Sequence, residues 1–361
     1  MGQGIPIPVP QALNSPSLSL PDNVALNFRT SYVEQFNLLL QKQFGQNVIT
    51  IGYVGSVGRH LPVVINDINV PDPLTAPASL RGPDGRFDTR PTATILPGLG
   101  GVGEYESSGS SSYHSLQTSF QRRYSNGLTV SANYTYSHSI DDATTLSYEG
   151  QEGFGNADPF AIQQFETGNS DLDLRHRFVG TVTYELPFGK NFVGAKKLTL
   201  AGWQANTVLI WNSGSPFSIT DNFTGFGNSV FNGIGGGPTR PNQVAPATLS
   251  NPSINEWFNP AAFVIPPLGT IGNTARNSLY GPSFRHFDLS IFKDFTLTER
   301  VKLQFRAEAF NLTNTPSYFV ANNQNDAPTT NAVQGAGFGK IVITNPNYTP
   351  RALQFALKLI L

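Results

Sequence analysis

The chain has 361 residues, 39% hydrophobic and 13% charged, with a formal net charge of −1 at pH 7. It is long enough to bury a sizeable core, and nothing in its charge points to nucleic acid or an anionic surface as partner. It contains no cysteine, which excludes disulfides and thiolate metal sites, and no run approaches the roughly 18 consecutive apolar residues of a membrane helix. The abundance of Gly (35), Pro (27) and Phe (26) at about half the usual share of charge is instead a turn-rich, aromatic-rich, β-like composition.

Residues 1–26 are rich in Pro and Ser and read as an irregular loop segment. The opening MGQGIPIPVPQALNSP lacks the basic and apolar regions of a signal peptide, so an exported chain of this kind is expected to be a fragment or to begin at a misplaced start codon. The first regular stretch, FRTSYVEQFNLLLQKQF, sets Phe28, Tyr32, Phe36, Leu38 and Leu40 on one face. After a turn at Gly45–Asn47, NVITIGYVGSVG alternates Ile49, Ile51 and Tyr53 against Val48, Thr50 and Gly52, and its glycines point to bulges or close packing.

An irregular segment over roughly 59–112 follows. YHSLQTSFQRRY and GLTVSANYTYSHS are joined at Asn126-Gly127, a strong hairpin signal. In the second of these, Leu128, Val130, Ala132, Tyr134 and Tyr136 oppose Thr129, Ser131, Asn133, Thr135 and Ser137. A second long loop spans about 141–174. RHRFVGTVTYELPFG then turns at Pro187–Gly189 into LAGWQANTVLIWNSG, before a third long loop over about 214–283. The hairpin in FRHFDLSIFKDFTLTERVKLQFRAEAFNL, a fourth long loop over about 313–349 and the final strand PRALQFALKLIL complete the chain.

This makes nine strands whose connections alternate between short turns (near 45, 126, 189 and 297) and loops of about thirty residues or more. A compact soluble domain rarely carries four such loops, whereas a transmembrane barrel has short turns at its periplasmic end and long loops outside. The expected fold is all-β: an antiparallel transmembrane β-barrel. Strands of about twelve residues, tilted, span about 30 Å of hydrocarbon. Lys42, Arg122 and Lys293, the cations on apolar faces, all lie beside the short turns, where they can reach the interface. Bacterial single-chain barrels normally have an even number of strands and an open edge is untenable in hydrocarbon, so either a further strand lies in the loops, with VVIND at 63–67 as the candidate, or the rest of a larger barrel is absent.

Several phrases carry a resemblance. YHSLQTSFQRRYSNGLTVSANYTYSHSIDD, LRHRFVGTVTYELPFG, GWQANTVLIWNSGSPFSIT, WFNPAAF, GNTARNSLYGPSFRHFDLSIFKDF and FRAEAFNLTNTPSYF, in that order, resemble the C-terminal barrel portion of TonB-dependent outer-membrane receptors, in particular the Oar-like group with a carboxypeptidase-regulatory-like domain. The resemblance covers about residues 27–361. It implies a partial barrel, the last nine or so of about 22 strands, located in the bacterial outer membrane. It further implies an absent plug and N-terminal barrel half, a partnership with TonB through the missing region, and energised uptake of an unknown small-molecule, peptide or glycan ligand. Members usually end in an aromatic residue, and this chain ends in Leu361.

No catalytic, cofactor or metal site is expected. His60, His114, His138, His176 and His286 lack paired metal spacing. Asp141-Asp142 and Asp171/Asp173 could ligate Ca²⁺ but lack the spacing of an EF-hand, so solvated loop charge is the reading. Glycine richness at 233–237 does not open a helix and reads as loop, and Ser137-His138-Ser139 with Asp141 is local proximity, short of triad geometry. Lys302, Gln304, Arg306 and Glu308 alternate with apolar residues and are expected to face the lumen, packing against a plug or pairing across strands. Trp257 and Phe258 are the candidate loop contacts to ligand. The reading is a receptor or transporter rather than an enzyme; the alternative is a structural or adhesive β-protein, either a passive barrel or a secreted sandwich.

Overall fold

The computed structural model describes residues 23–65, 67–96, 98–142, 160–189, 191–221, 230–234, 240–298, 300–320, 333, 335, 337–341, 343–345 and 348–360. Nine long strands form one continuous sheet: β1 (Tyr32–Phe44), β2 (Asn47–Ile65), β3 (Glu104–Ser125), β4 (Leu128–Asp141), β5 (His176–Glu185), β6 (Trp203–Asn212), β7 (Phe284–Thr296), β8 (Lys302–Phe310) and β9 (Ala352–Ile360). Each pairs antiparallel with its sequence neighbours, so the sheet is an uninterrupted meander in chain order.

The pairing register sorts the side chains into two faces. Leu38, Tyr53, Leu116, Tyr136 and His176 stand opposite one another across β1 to β5. Ala205, Ile291, Ala307 and Phe355 do the same across β6 to β9. The opposite face carries Gln41, Thr50, Ser119 and Asn133 in one row and Asp294, Gln304 and Lys358 in another. Groups on this polar face satisfy each other locally, as in Gln204 to Asn206 (2.7 Å) and Gln304 to Asp294 (2.8 Å).

The apolar face is bare. Leu38 and Leu357 retain 65% and 69% of their surface. An uncovered apolar face running across nine strands is far larger than a soluble monomer tolerates. The buried apolar side chains of the described residues lie elsewhere, in the loops and at the far end of β2.

Glycine serves two purposes here. At Gly55 an added Cβ would fall 2.1 Å from the Phe36 ring, so the missing side chain is what lets Phe36 lie across β2. At the β3–β4 turn Asn126 and Gly127 have φ of 53° and 80°. Both are positive, as a two-residue hairpin turn compatible with strand twist requires. Gly127→Ala would add strain at that φ and place a Cβ 2.8 Å from the Glu185 carbonyl oxygen. The expected loss is about 1–3 kcal/mol, read as a lower denaturant midpoint in lipid vesicles, with Asn126→Gly close to unchanged.

The strands and their connections differ from the sequence expectation in three places. β2 and β3 are longer than expected, at 19 and 22 residues, so the segment between them shrinks to 66–103. The VVIND stretch adds no strand: Val63–Ile65 continue β2 past a bulge at His60. The β5–β6 connection runs over 186–202 and holds a helix, Gly194–Leu200, where a tight turn was expected. At about 3.3 Å per residue and a tilt near 40°, β3 rises about 55 Å. The hydrocarbon needs about 30 Å. Because β2 meets β1, and β3 meets β4, at a short turn, the excess stands entirely at the long-loop end.

Leu361, residues 1–22 of the opening segment and part of the 233–237 glycine stretch lie outside the described residues.

Candidate functional site

The long loops fold onto one another and form a cap over that end of the sheet. One nucleus joins Phe217, Ile219, Ala247, Phe258, Ala262 and Phe263, with Trp257, Leu279 and Phe338 packed on its edge. A second joins the β2–β3 loop to the β6–β7 loop through Phe87 and Val230–Phe231, where Phe87 N–H donates to Val230 O and Asn232 N–H to Phe87 O. Short antiparallel pairs, Pro216–Phe217 with Leu279–Tyr280 and Asn242–Gln243 with Phe263–Val264, fix the register inside the cap.

Ion pairs clasp the cap to the strand ends. Arg276, 3% exposed, reaches Asp141 at the end of β4 at 2.6 Å and also donates to the Asp141 and Glu166 backbone carbonyls. Arg240 pairs with Glu166 at 2.9 Å and donates to Thr274 O and Phe165 O. Arg175, just before β5, pairs with Asp173 at 2.9 Å, and Tyr280 Oη donates to the same carboxylate at 2.9 Å. Burial, more than these bonds, holds the Tyr280 phenol above its ordinary pKa. Asn277, in the left-handed region at φ 51°, donates to Asn169 O and Asp171 Oδ1 while exchanging bonds with Ser218. Asp142 accepts from Ser110 N–H, Ser110 Oγ and Thr167 Oγ1.

Asp141, Asp142 and Asp173 are therefore buried and bonded, at 7%, 3% and 1% exposure, where solvated charge was expected. The Ser137-His138-Ser139/Asp141 cluster assembles no relay: Ser137 donates to Leu174 O, His138 Nε2 lies 2.8 Å from Arg175 and 3.0 Å from Asn169 Oδ1, and Asp141 is held by Arg276. Among the described residues no three His, Cys, Asp or Glu side chains come together as a metal would need.

Phe258 is 1% exposed at the centre of the first nucleus, and Trp257 Nε1 donates to Tyr280 O. The structure thus uses both candidate ligand contacts as cap packing, and Phe258 has no free surface to offer a ligand.

Beneath the cap lies the polar face. Lys302, Gln304, Arg306 and Glu308 sit on it, opposite Thr296, Asp294, Phe292 and Ser290. Arg306 donates to Gln304 Oε1 at 2.6 Å and stacks over Phe292 at 4.7 Å. On the other face Lys293 is almost fully buried beside the β5–β6 connection, where Nζ donates to Ala201 O and lies over the Trp203 and Phe295 rings. Lys42 and Arg122 likewise sit at the short-turn end, opposite Ile49 and Asn47.

A sheet apolar outside, polar inside and capped by loops at one end is the wall of a membrane barrel, and the family model for the outer membrane beta barrel domain matches residues 1–354. The chain belongs to that family. Its location is the bacterial outer membrane, with lipid against the apolar face. No curated protein matches the chain. Among solved structures the barrel domain is similar to the outer membrane transporter YddB from Escherichia coli, at 11% identity and a TM-score of 0.48, over 95% of this chain and 34% of that one. The barrel domain thus spans about a third of that transporter's length.

The clasp residues Arg240, Arg276, Asn277 and Tyr280 were not singled out from the sequence as functional. Three of them stand in the phrase GNTARNSLYGP, and their carboxylate acceptors are Asp141 in YSHSIDD for Arg276, Asp171 for Asn277 and Asp173 for Tyr280. Arginines inside Gly- and Pro-rich loops of a chain so poor in charge were the available signal.

Proposed function

We propose that the chain supplies barrel wall and ligand-capturing cap to a TonB-dependent outer-membrane receptor or transporter of the Oar-like group, which takes up a small-molecule, peptide or glycan ligand and catalyses no reaction. The observation that carries this reading is the cap itself. Its loops pack on two apolar nuclei and are clasped by buried ion pairs to the strand ends, directly above a continuous polar face. Such a cap has the rigidity that selective capture needs, and the polar face offers a wet wall along which a plug or a ligand can lie. In this reading Lys302 to Glu308 face the plug, and the N-terminal barrel half pairs with the remaining strand edges. The phrases that carry the family resemblance run through the wall strands and into the cap, where WFNPAAF and GNTARNSLYGP supply Phe258, Phe263, Arg276 and Tyr280, which supports the finer assignment.

The test is uptake of fluorescent peptides and glycan oligomers by cells expressing the whole gene, with the proton-motive force intact or collapsed. Accumulation of at least one labelled class only in energised cells is expected. Equal accumulation in both conditions would assign a passive barrel, and surface labelling without entry an adhesive one.

A further inference from the structure

We infer that the outward face of β1 to β3, just above the lipid boundary, is a binding site for the phosphate-bearing headgroup of an outer-leaflet lipid. The site is organised by the bulge in β2. Register slips between Arg59 and Leu61, leaving His60 unpaired in the left-handed region at φ 53°. A non-glycine residue there is strained by about 1–3 kcal/mol unless its surroundings hold it, and a bulge re-aims the side chains on either side of it. Here it turns Arg59 and His60 into one cleft of about 380 Å³, shared with Tyr32, Ser108, Gly109, Ser110 and Gln163.

The lining suits a phosphorylated group. Arg59 is exposed and forms no ion pair with the described residues. The acid on the same face, Glu34, stands opposite Val57, one step toward the membrane. Asp142, behind Ser110, is already occupied by Ser110 and Thr167. Ser108, which lines the cleft, has its Oγ buried without a hydrogen-bond partner, so a hydroxyl with unused bonding capacity lies just behind the cleft wall. A guanidinium, an imidazole and hydroxyls around one cavity can give a phosphate charge-assisted bonds on several sides.

What lies below the cleft chooses a lipid over a free anion. Tyr32, Arg59 and Ser110 form one cross-strand row; the next row on the same face is Glu34, Val57 and Ser112, and the one after it, four residues nearer the membrane, is Phe36, Gly55 and His114. Phe36, Tyr53 and His114 stack there at 6.0–6.2 Å, with Tyr53 Oη 2.7 Å from His114 Nδ1, an aromatic platform of interfacial type. Below the platform come Leu38, Leu40 and Ile51, bare and apolar. Cation cleft, aromatic platform and apolar strip thus follow in the order of headgroup, interface and acyl chains.

The test is native mass spectrometry of the detergent-purified protein titrated with phosphatidic acid, with phosphatidylcholine of the same acyl chains, or with inorganic phosphate. Phosphatidic acid is expected to be held roughly tenfold more tightly than phosphatidylcholine. Arg59→Gln and His60→Asn, read separately so that either folded variant suffices, should each erode that preference, and Lys302→Gln on the opposite face should keep it. Equal retention of the two lipids, or a preference that survives both cleft variants, overturns the site. Inorganic phosphate displacing phosphatidic acid at matched concentration overturns the lipid as its occupant.

Discussion

Replacing Arg276 with Ala is expected to detach the cap while leaving the nine-strand sheet assembled. Arg276 is the donor that closes three things at once: the Asp141 carboxylate, the Asp141 carbonyl and the Glu166 carbonyl. Removing it takes from Asp141, 7% exposed, the guanidinium that faces its carboxylate, and breaking a buried ion pair by deleting one partner costs about 3–5 kcal/mol. The loss falls on the loops, because the β3–β4 and β4–β5 ladders that hold Asp141's strand do not depend on the arginine. Limited proteolysis should therefore open new cleavage sites in 160–175 and 240–280 while heat-modifiable gel mobility stays that of the folded sheet. Asp141→Asn combined with Arg276→Met removes the charge along with its partner and should recover much of the loss. An unchanged cleavage pattern in Arg276→Ala would show that the apolar nuclei hold the cap without the clasp.

How much of this was legible in the sequence varies with the range of the interaction. Alternation with period two is set within a few residues, so all nine strands and their order were readable from apolar spacing. The extensions of β2 and β3 were not. Pro62, the left-handed His60 and the serine-rich run 107–112 have loop composition, and only their pairing with each other, from Leu61 with Gly109 to Ile65 with Glu104, makes them strand. The Gly194–Leu200 helix is too short for a periodic signal. The candidate ligand pair WF at 257–258 shows the same limit from another side, since an aromatic in a loop is equally suited to a ligand and to a loop core. Phe217 and Phe338, distant in sequence, decide for the core. The clasp was hidden most completely: Asp141 looks like a solvated acid until Arg276, 135 positions away, is beside it.

The assignment of the two faces has its sharpest test at Ile291. This residue faces out from β7 between Ala205 and Ala307, and its neighbour Ser290 faces the polar side between Asn206 and Glu308. An arginine at mid-bilayer on the lipid face costs about 2–4 kcal/mol, whereas the lumen side accepts one readily. Ile291→Arg is thus expected to lower stability in phospholipid vesicles by that amount, and Ser290→Arg by less than about 1 kcal/mol, in guanidinium titrations followed by tryptophan fluorescence. Lys293, two residues on, is no counterexample. It lies on the same face but at the short-turn end, where Ala201 O accepts its ammonium and the Trp203 and Phe295 rings flank it at 5.6 and 5.1 Å. At Ile291 the facing side chains are methyl groups, so an arginine has no acceptor there and must bend toward a distant interface. If both variants were equally stable, the apolar face would be covered by protein rather than lipid. If Ser290→Arg were the damaging one, the faces would be reversed and Lys302, Gln304, Arg306 and Glu308 could not line a lumen.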